Sequence, residues 1–275
     1  MSSADASTPG FFALAFDLDG PSGSALVDGS IGTRPGYFVF GSYGPHRAVP
    51  RILELLAAAD VRATFFTPGW VVRHWPELCR RIRDEGHEMA GHGDRHETLF
   101  GLPRAEQVGI LERSQQAFID VLGDHARGFR APSGDVDPAT IGLLKEHGYT
   151  YSSSLRSGDL PFRHAGSGLA EVPAKSLFDD YAAFAYHRAP NFPSGLDRVA
   201  SYHSVFRSWR EEAFAGADEG LPVVSIWHPK VIGTPGRLLM LEAFIDDLQG
   251  HPNLRIATCG EVVEHYLEGG ARAVA

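Results

Sequence analysis

Short apolar runs of strand length alternate along this chain with longer segments of helical periodicity. The first run is Phe11 to Phe16, in FFALAFDLDG. The Gly- and Ser-rich stretch Pro21 to Arg47 follows, too long and irregular for an ordinary strand-to-helix connection, and reads as a functional cover or a disordered loop. PRILELLAAAD, with Pro50 at its first position, predicts a helix, and VRATFFTPG the next strand. Trp75 to Glu85 predicts an amphipathic helix closed by Gly86, with the short strand HEMAGHG behind it. The beat continues with a helix at Arg104 to Leu122, a strand in ARGFRAPSG, a helix at Pro138 to Glu146 and a strand in YTYSSSL. Arg156 to Gly195 is less regular and reads as a strand plus loops on the substrate side. Helices at about Val199 to Ala215, Arg237 to Leu248 and Glu261 to Leu267 then alternate with the strands LPVVSIWHP and LRIATCGE.

Such alternation implies α/β architecture with a parallel sheet or barrel. At 275 residues and 43% hydrophobic content, the chain fits one α/β-barrel-sized domain. The expected organisation is a disordered tail over residues 1–10 and a single domain over 11–275. Asp17 and Asp19, His92, Arg130 and His228 each stand at the C-terminal end of an apolar strand, the face that carries the chemistry in parallel α/β barrels.

Charge narrows the partners. A net charge of −9 without a Lys/Arg cluster argues against nucleic acid or an anionic membrane surface, leaving a small molecule. No stretch approaches the roughly 20 apolar residues that span a bilayer, and MSSADASTPG has neither a basic nor an apolar leader region, so the expected location is the cytoplasm. Cys79 and Cys259 then read as separate reduced thiols. A homo-oligomer remains open.

His92 and His96, in EMAGHGDRHETL, have the i,i+4 spacing that puts two imidazoles on one face of a helical turn. In a chain with 13 histidines that spacing alone is weak. Asp17 and Asp19, two apart at a strand end, point to one side and can complete a divalent-metal site. Asp19, His92 and His96 as ligands suit zinc, or another divalent transition metal such as cobalt, manganese or nickel. Asp17 is then fit to take a proton from water, His228 to protonate a leaving nitrogen, and Arg130 to hold the base carboxylate ionised. The APSG turn could present the Ser133 backbone N–H to an oxyanion. The plain alternatives are a half-buried loop histidine for His228 and a structural ion pair for Arg130. No G-x-S-x-G, P-loop or G-x-G-x-x-G is present.

These residues together resemble the NodB-homology polysaccharide deacetylases, carbohydrate esterase family 4. FDLDG stands where that family has T-F-D-D-G, GHGDRH for H-[ST]-x-x-H, FRAPSG for R-x-P-[YW]-G, and SIWHP for the strand ending in the acid histidine. The resemblance runs from Phe11 to Tyr266. It implies a distorted (β/α)7 barrel of the NodB-homology type, a metal held by Asp19, His92 and His96, Asp17 as base, Arg130 as its orienting partner and His228 as acid. Leu18 between the aspartates, and EVPAKSLFDD, are similar to the branch that contains peptidoglycan-deacetylase-like and cyclic-imide-hydrolase-like proteins. Ser133 replaces the family's aromatic, and the fourth-motif Trp that packs on the acid histidine has no clear counterpart.

The expected activity is a metal-dependent hydrolase of C–N bonds, deacetylase-like, acting on a small N-acyl or cyclic imide compound. The alternatives are an N-acetylglucosamine deacetylase of peptidoglycan or another polysaccharide, and a catalytically silent barrel that binds a carbohydrate or metabolite. The partner is thus a small-molecule amide, imide or amino-sugar. Phe38, Phe40, Phe178, Tyr181 and Phe184 are expected as apolar pocket walls, with Asp179 and Asp180 disfavouring anionic ligands.

Overall fold

A computed structural model of the chain describes residues 9–24, 31–156, 158–185 and 200–268. Its opening strands, β1 (Gly10–Ala13) and β2 (Ala15–Asp17), form one nearly continuous extended run. Successive side chains on a strand point to opposite faces. Phe12, Leu14, Phe16 and Leu18 accordingly share a core with residues of the outer helices, while Phe11, Ala13 and Ala15 join a second core built mainly from other strands. The odd positions therefore face the interior of the strand ring.

From β2 the parallel neighbours are β3 (Thr64–Thr67), β4 (Glu88–Gly91), β5 (Gly128–Phe129), β6 (Tyr151–Ser152) and β8 (Ala170–Glu171), with β7 (Phe162–Arg163) antiparallel on β8. β9 (Pro222–Val224) and β10 (Leu254–Ala257) flank β1, both parallel to it. The ladders thus form a three-stranded and a seven-stranded sheet, joined through the β1–β2 run and by single bridges at Phe16–Trp227 and Asp179–Ile226. The fold is the anticipated α/β barrel type in distorted form. Among the described residues no continuous ladder closes the ring, because strands of two to four residues are too short to keep their neighbours paired all the way round. The interior is narrow and filled largely by small side chains, Ala13, Ala15, Ala90, Ala170 and Ala174 among them.

The helices are α1 (Pro35–Tyr43), α2 (Val49–Ala58), α3 (Gly69–His74), α4 (Pro76–Asp84), α5 (Arg104–Leu122), α6 (Pro138–Glu146), α7 (Asp180–Phe184), α8 (Tyr202–Asp218), α9 (Pro229–Ile232), α10 (Pro235–Gly250) and α11 (Cys259–Val263). Their starts follow local chemistry. Pro occupies the first turn of α1, α2, α4, α6, α9 and α10, where its missing N–H costs nothing. The Asp137 side chain caps α6, and Thr258 with Glu261 forms a capping box on α11. None of the described helices is long and apolar enough to cross a membrane.

Two expectations change. Pro21 to Arg47 is not an open loop: its described part contains a 3₁₀ turn over Gly20–Ser24 and all of α1, while residues 25–30 lie outside the described residues. Gly10 belongs to β1, so the tail expected over 1–10 does not reach it, and residues 1–8 lie outside the described residues. In Arg156 to Gly195, residues 157 and 186–195 are likewise outside.

α1 sits on the turn that follows Asp19. A Cβ at Gly41 would lie 2.4 Å from the Gly20 carbonyl oxygen and 2.5 Å from Pro21 Cα, both backbone atoms that cannot rotate away. Gly41→Ala is therefore expected to lift α1 from that turn and lower unfolding stability by about 1–3 kcal/mol, read from the urea midpoint; an unchanged midpoint would contradict this packing.

Candidate metal centre and catalytic pocket

Strand alternation carries the chemistry inward. Ala13 and Ala15 face the interior, so Asp17 and Asp19 follow on the same side. Ala90 places His92, and Val224 and Ile226 place His228, by the same two-residue step. Phe129 packs in the helix-side core, which turns Arg130 inward. Asp17, Asp19, His92, His96 and His228 line one cavity of about 370 Å³ at this end of the ring.

The metal-ligand expectation needs one geometric correction. His92 and His96 are not on a helix: they lie in the irregular segment after β4, and His96 adopts a left-handed backbone, φ 64°. Such a conformation costs a non-glycine residue roughly 1–2 kcal/mol. The segment is held by its surroundings instead. The N–H groups of Gly69 and Trp70 donate to the carbonyls of Gly93 and Asp94. Asp94, buried, accepts from Arg73 at 2.6 Å and Arg113 at 3.2 Å, while Glu97 accepts from the Asp94 and Arg95 N–H groups.

The result is a cluster of acceptors. His92 Nδ1 donates to the Arg130 carbonyl at 2.6 Å, which leaves Nε2 with the lone pair for an ion. Burial pushes the His96 pKa down to about 3 against the opposing pull of Asp19, so its ring is neutral. Asp19 Oδ1 lies 3.5 Å from His92 Nε2 and 3.5 Å from His96 Nε2, and this buried oxygen has no hydrogen-bond partner among the described residues. A lone carboxylate oxygen facing two imidazole nitrogens, all inside the protein, is poorly satisfied by itself and fits a divalent cation of the zinc class.

Two further pairs flank the triad. Asp17 Oδ1 accepts from Arg130 Nη1 at 2.7 Å. The guanidinium is fixed by the Ser153 carbonyl and hydroxyl at 3.1 and 3.0 Å and stacks 4.1 Å from the Phe66 ring centroid. Burial raises the Asp17 pKa, but Arg130, then His92 and His228, outweigh it and hold the carboxyl below its ordinary range. On the other side His228 Nδ1 donates to Asp180 Oδ1 at 2.7 Å, and the His228 N–H also donates to Asp180. Burial favours the neutral imidazole, yet Asp180 and Asp19 together raise the His228 pKa to about 9. Burial raises Asp180 to about 6, below the imidazolium, so the shared proton resides on the ring. An ionised carboxylate and a charged imidazolium thus face one cavity, the arrangement that general base and general acid catalysis of amide cleavage requires. Ser133 also lines the cavity, with φ 63°, in the turn directly after Arg130 and Ala131.

The expected substrate walls divide. Tyr181, Asp179 and Phe40 line the cavity, with Tyr37 from the same face of α1. Phe178 is fully buried, packed 5.3 Å from Phe12 and 5.9 Å from Trp209 by ring centroids, and cannot touch a ligand. Asp180 is fully buried as well and spends its oxygens on His228 rather than facing a ligand. Phe184 is buried beside Phe206 and Trp209. Phe38 is 36% exposed and outside the cavity lining. The missing fourth-motif aromatic has a counterpart after all: the Tyr181 ring packs edge-on against His228, 4.9 Å between centroids. Asp179 is paired with Arg156 at 3.0 Å on the cavity wall.

Sequence reasoning missed Lys230. It is buried on α9, lines the cavity, and its Nζ lies 2.6 Å from Asp19 Oδ2. The available signal was a lone cation two residues past His228, beside the apolar residues of HPKVIG.

Residues 40–152 match the sequence profile of the Polysaccharide deacetylase family. A solved structure described as a putative polysaccharide deacetylase from Mycobacterium smegmatis is similar to all of this chain and 96% of its own, with 32% identity and a TM-score of 0.88. A peptidoglycan deacetylase of Helicobacter pylori is 25% identical over 261 residues, covering 84% of this chain and 88% of that protein. An allantoinase structure, 17% identical with a TM-score of 0.83, covers 97% of this chain and 93% of its own, and shows the fold alone.

NMR titration of the His228 ring in the metal-free protein is expected to give a pKa near 9. Asp180→Asn removes the charge that favours the imidazolium and should bring it down by more than one unit; an unchanged value would show that Asp180 does not hold the ring charged.

Proposed function

Because the chain belongs to the polysaccharide deacetylase family, we propose that it is a metal-dependent N-deacetylase of amino-sugar units, of the kind found in peptidoglycan, with residues 11–275 as one catalytic domain. One observation carries this reading: the acceptor triad Asp19, His92 and His96 lines a single cavity together with Asp17, backed by Arg130, and His228, backed by Asp180. A bound zinc-class ion would polarise the acetyl carbonyl and make the attacking water more acidic.

The chain's own groups supply the proton traffic. Asp17, kept ionised by Arg130, takes the proton of the water that adds to the acetyl carbon. The Ser133 backbone N–H, in a turn that lines the same cavity, would donate to the oxyanion. His228, charged through Asp180, passes its proton to the sugar nitrogen as the C–N bond breaks, so that acetate and the free amine leave. Asp180 keeps the ring oriented, and the edge-on Tyr181 ring confines it from the cavity side.

The small N-acyl or cyclic imide reading now takes second place, since the family profile and the Helicobacter relative support an amino-sugar acetamide better. What still favours it is the shape of the site. The cavity of about 370 Å³ lies at the lower end of ordinary ligand pockets, and Tyr37 and Phe40 of α1 form part of its wall. The same aromatic faces, 43% and 44% exposed, also suit stacking on a pyranose ring.

Acetate release from N-acetylglucosamine oligomers of increasing length, beside ring opening of cyclic imides, decides between the two. Oligosaccharide turnover that exceeds imide turnover is expected; imide turnover alone would overturn the amino-sugar assignment, and no turnover of either with metal bound would leave a silent binding barrel. Asp17→Asn is expected to keep the metal and lose activity about 10²–10⁴-fold, whereas His92→Ala should lose metal and activity together. Equal metal loss from both variants would show the base and ligand roles to be misassigned.

A further inference from the structure

The two oxygens of Asp19 have different surroundings. Oδ1 faces His92 and His96 and has no hydrogen-bond partner among the described residues. Oδ2 accepts from the Lys230 ammonium at 2.6 Å, with His228 Nε2 next at 3.9 Å. Lys230 is itself 7% exposed, and its Nζ lies 5.3 Å from the Tyr181 ring centroid. The turn after Asp19 is shaped around this contact: a Cβ at Gly23 would come within 2.7 Å of Lys230 Nζ and 3.2 Å of Asp19 Oδ2, so a side chain at 23 would crowd the pair.

We propose that Lys230 is a positioning residue that shares Asp19 with the metal: it keeps Oδ2 for itself, restricts Asp19 to ligation through Oδ1, and weakens the hold of the site on its ion. The inference rests on the metal reading given above and adds to it. A carboxylate that already neutralises one cation has less negative charge to give a second, and two like charges on one small buried group repel with little screening. An ion held this way keeps more of its own charge, which strengthens its pull on a substrate carbonyl and makes it readily exchanged. Lys230 needs no contact with substrate for this.

Zinc affinity measured by competition with a chromophoric chelator tests the proposal without reference to activity. Lys230→Met and Lys230→Gln both remove the charge, and Gln retains a hydrogen-bond donor should Met prevent folding. Each is expected to bind zinc at least tenfold more tightly than the unaltered protein, with Lys230→Arg close to the unaltered value. The visible spectrum of the cobalt-loaded Lys230→Met protein should weaken in intensity, as the second oxygen of Asp19 joins the coordination sphere. Equal or weaker zinc binding by the charge-removing variants overturns the Lys230 proposal alone. Failure of both the unaltered protein and these variants to bind zinc overturns it together with the metal reading. Tight binding by the variants with none by the unaltered protein supports it in its strongest form.

Discussion

Two carboxylates buried two residues apart set the terms for this site. Asp17 and Asp19 are 4% and 3% exposed, and an ionised carboxylate moved from water into protein loses several kcal/mol of solvation unless partners replace it. Each is supplied separately. Arg130 spans from β5 to Asp17 and is itself pinned by Ser153, while Lys230 reaches Asp19 from α9. The left-handed backbone at His96 and at Ser133, the buried Asp94 with its two arginines, and the glycine beside Lys230 all serve to bring these charges together. Strained positions of this kind gather where surrounding structure is rigid enough to impose them, commonly at functional sites.

Burial also separates the protonation states that chemistry needs. Asp17 and His228 share one cavity, but Arg130 favours the charged carboxylate at one side and Asp180 the charged imidazole at the other. His96, which lines the same cavity, is held neutral by burial. The same low-dielectric environment therefore yields an ionised carboxylate, a charged imidazole and a neutral one, with the differences set by which charged neighbour each group touches.

Much of this was legible in the chain. The two-residue period that alternates Phe12, Leu14 and Phe16 with Ala13, Ala15 and Asp17 specifies which face meets the helices, and it delivers the aspartates to the interior. The same period delivers His92, Arg130 and His228, so the set could be assembled from strand ends before any coordinates. Local period could not reveal what depends on contacts far apart in sequence. The helical reading of His92 and His96 failed because glycines and long-range hydrogen bonds to Gly69 and Trp70, rather than helix geometry, bring the rings together. Because their stretch follows a strand end, Phe178 reads as a pocket wall and Asp180 as a charge that repels anionic ligands, yet Phe178 turns outward to Trp209 and Asp180 turns under His228. Lys230 carries only a weak local signal, a lone cation near a strand end, because its partner is 211 positions away. The Pro21 to Arg47 stretch looked like loop by composition, but tertiary packing of Gly41 against the turn after Asp19 stabilises a helix there.

Among the described residues, two groups of side chains at this site have the donor set for an ion: Asp19 with His92 and His96, and Asp179 with Asp180 and His228. The ion is proposed for the first and proton transfer for the second. Anomalous diffraction at the zinc absorption edge, from crystals equilibrated with zinc, tests that assignment directly. The account predicts one strong peak within bonding distance of Asp19 Oδ1, His92 Nε2 and His96 Nε2, with His228 still hydrogen-bonded to Asp180. A peak beside Asp179, Asp180 and His228, with the first group unliganded, would contradict it.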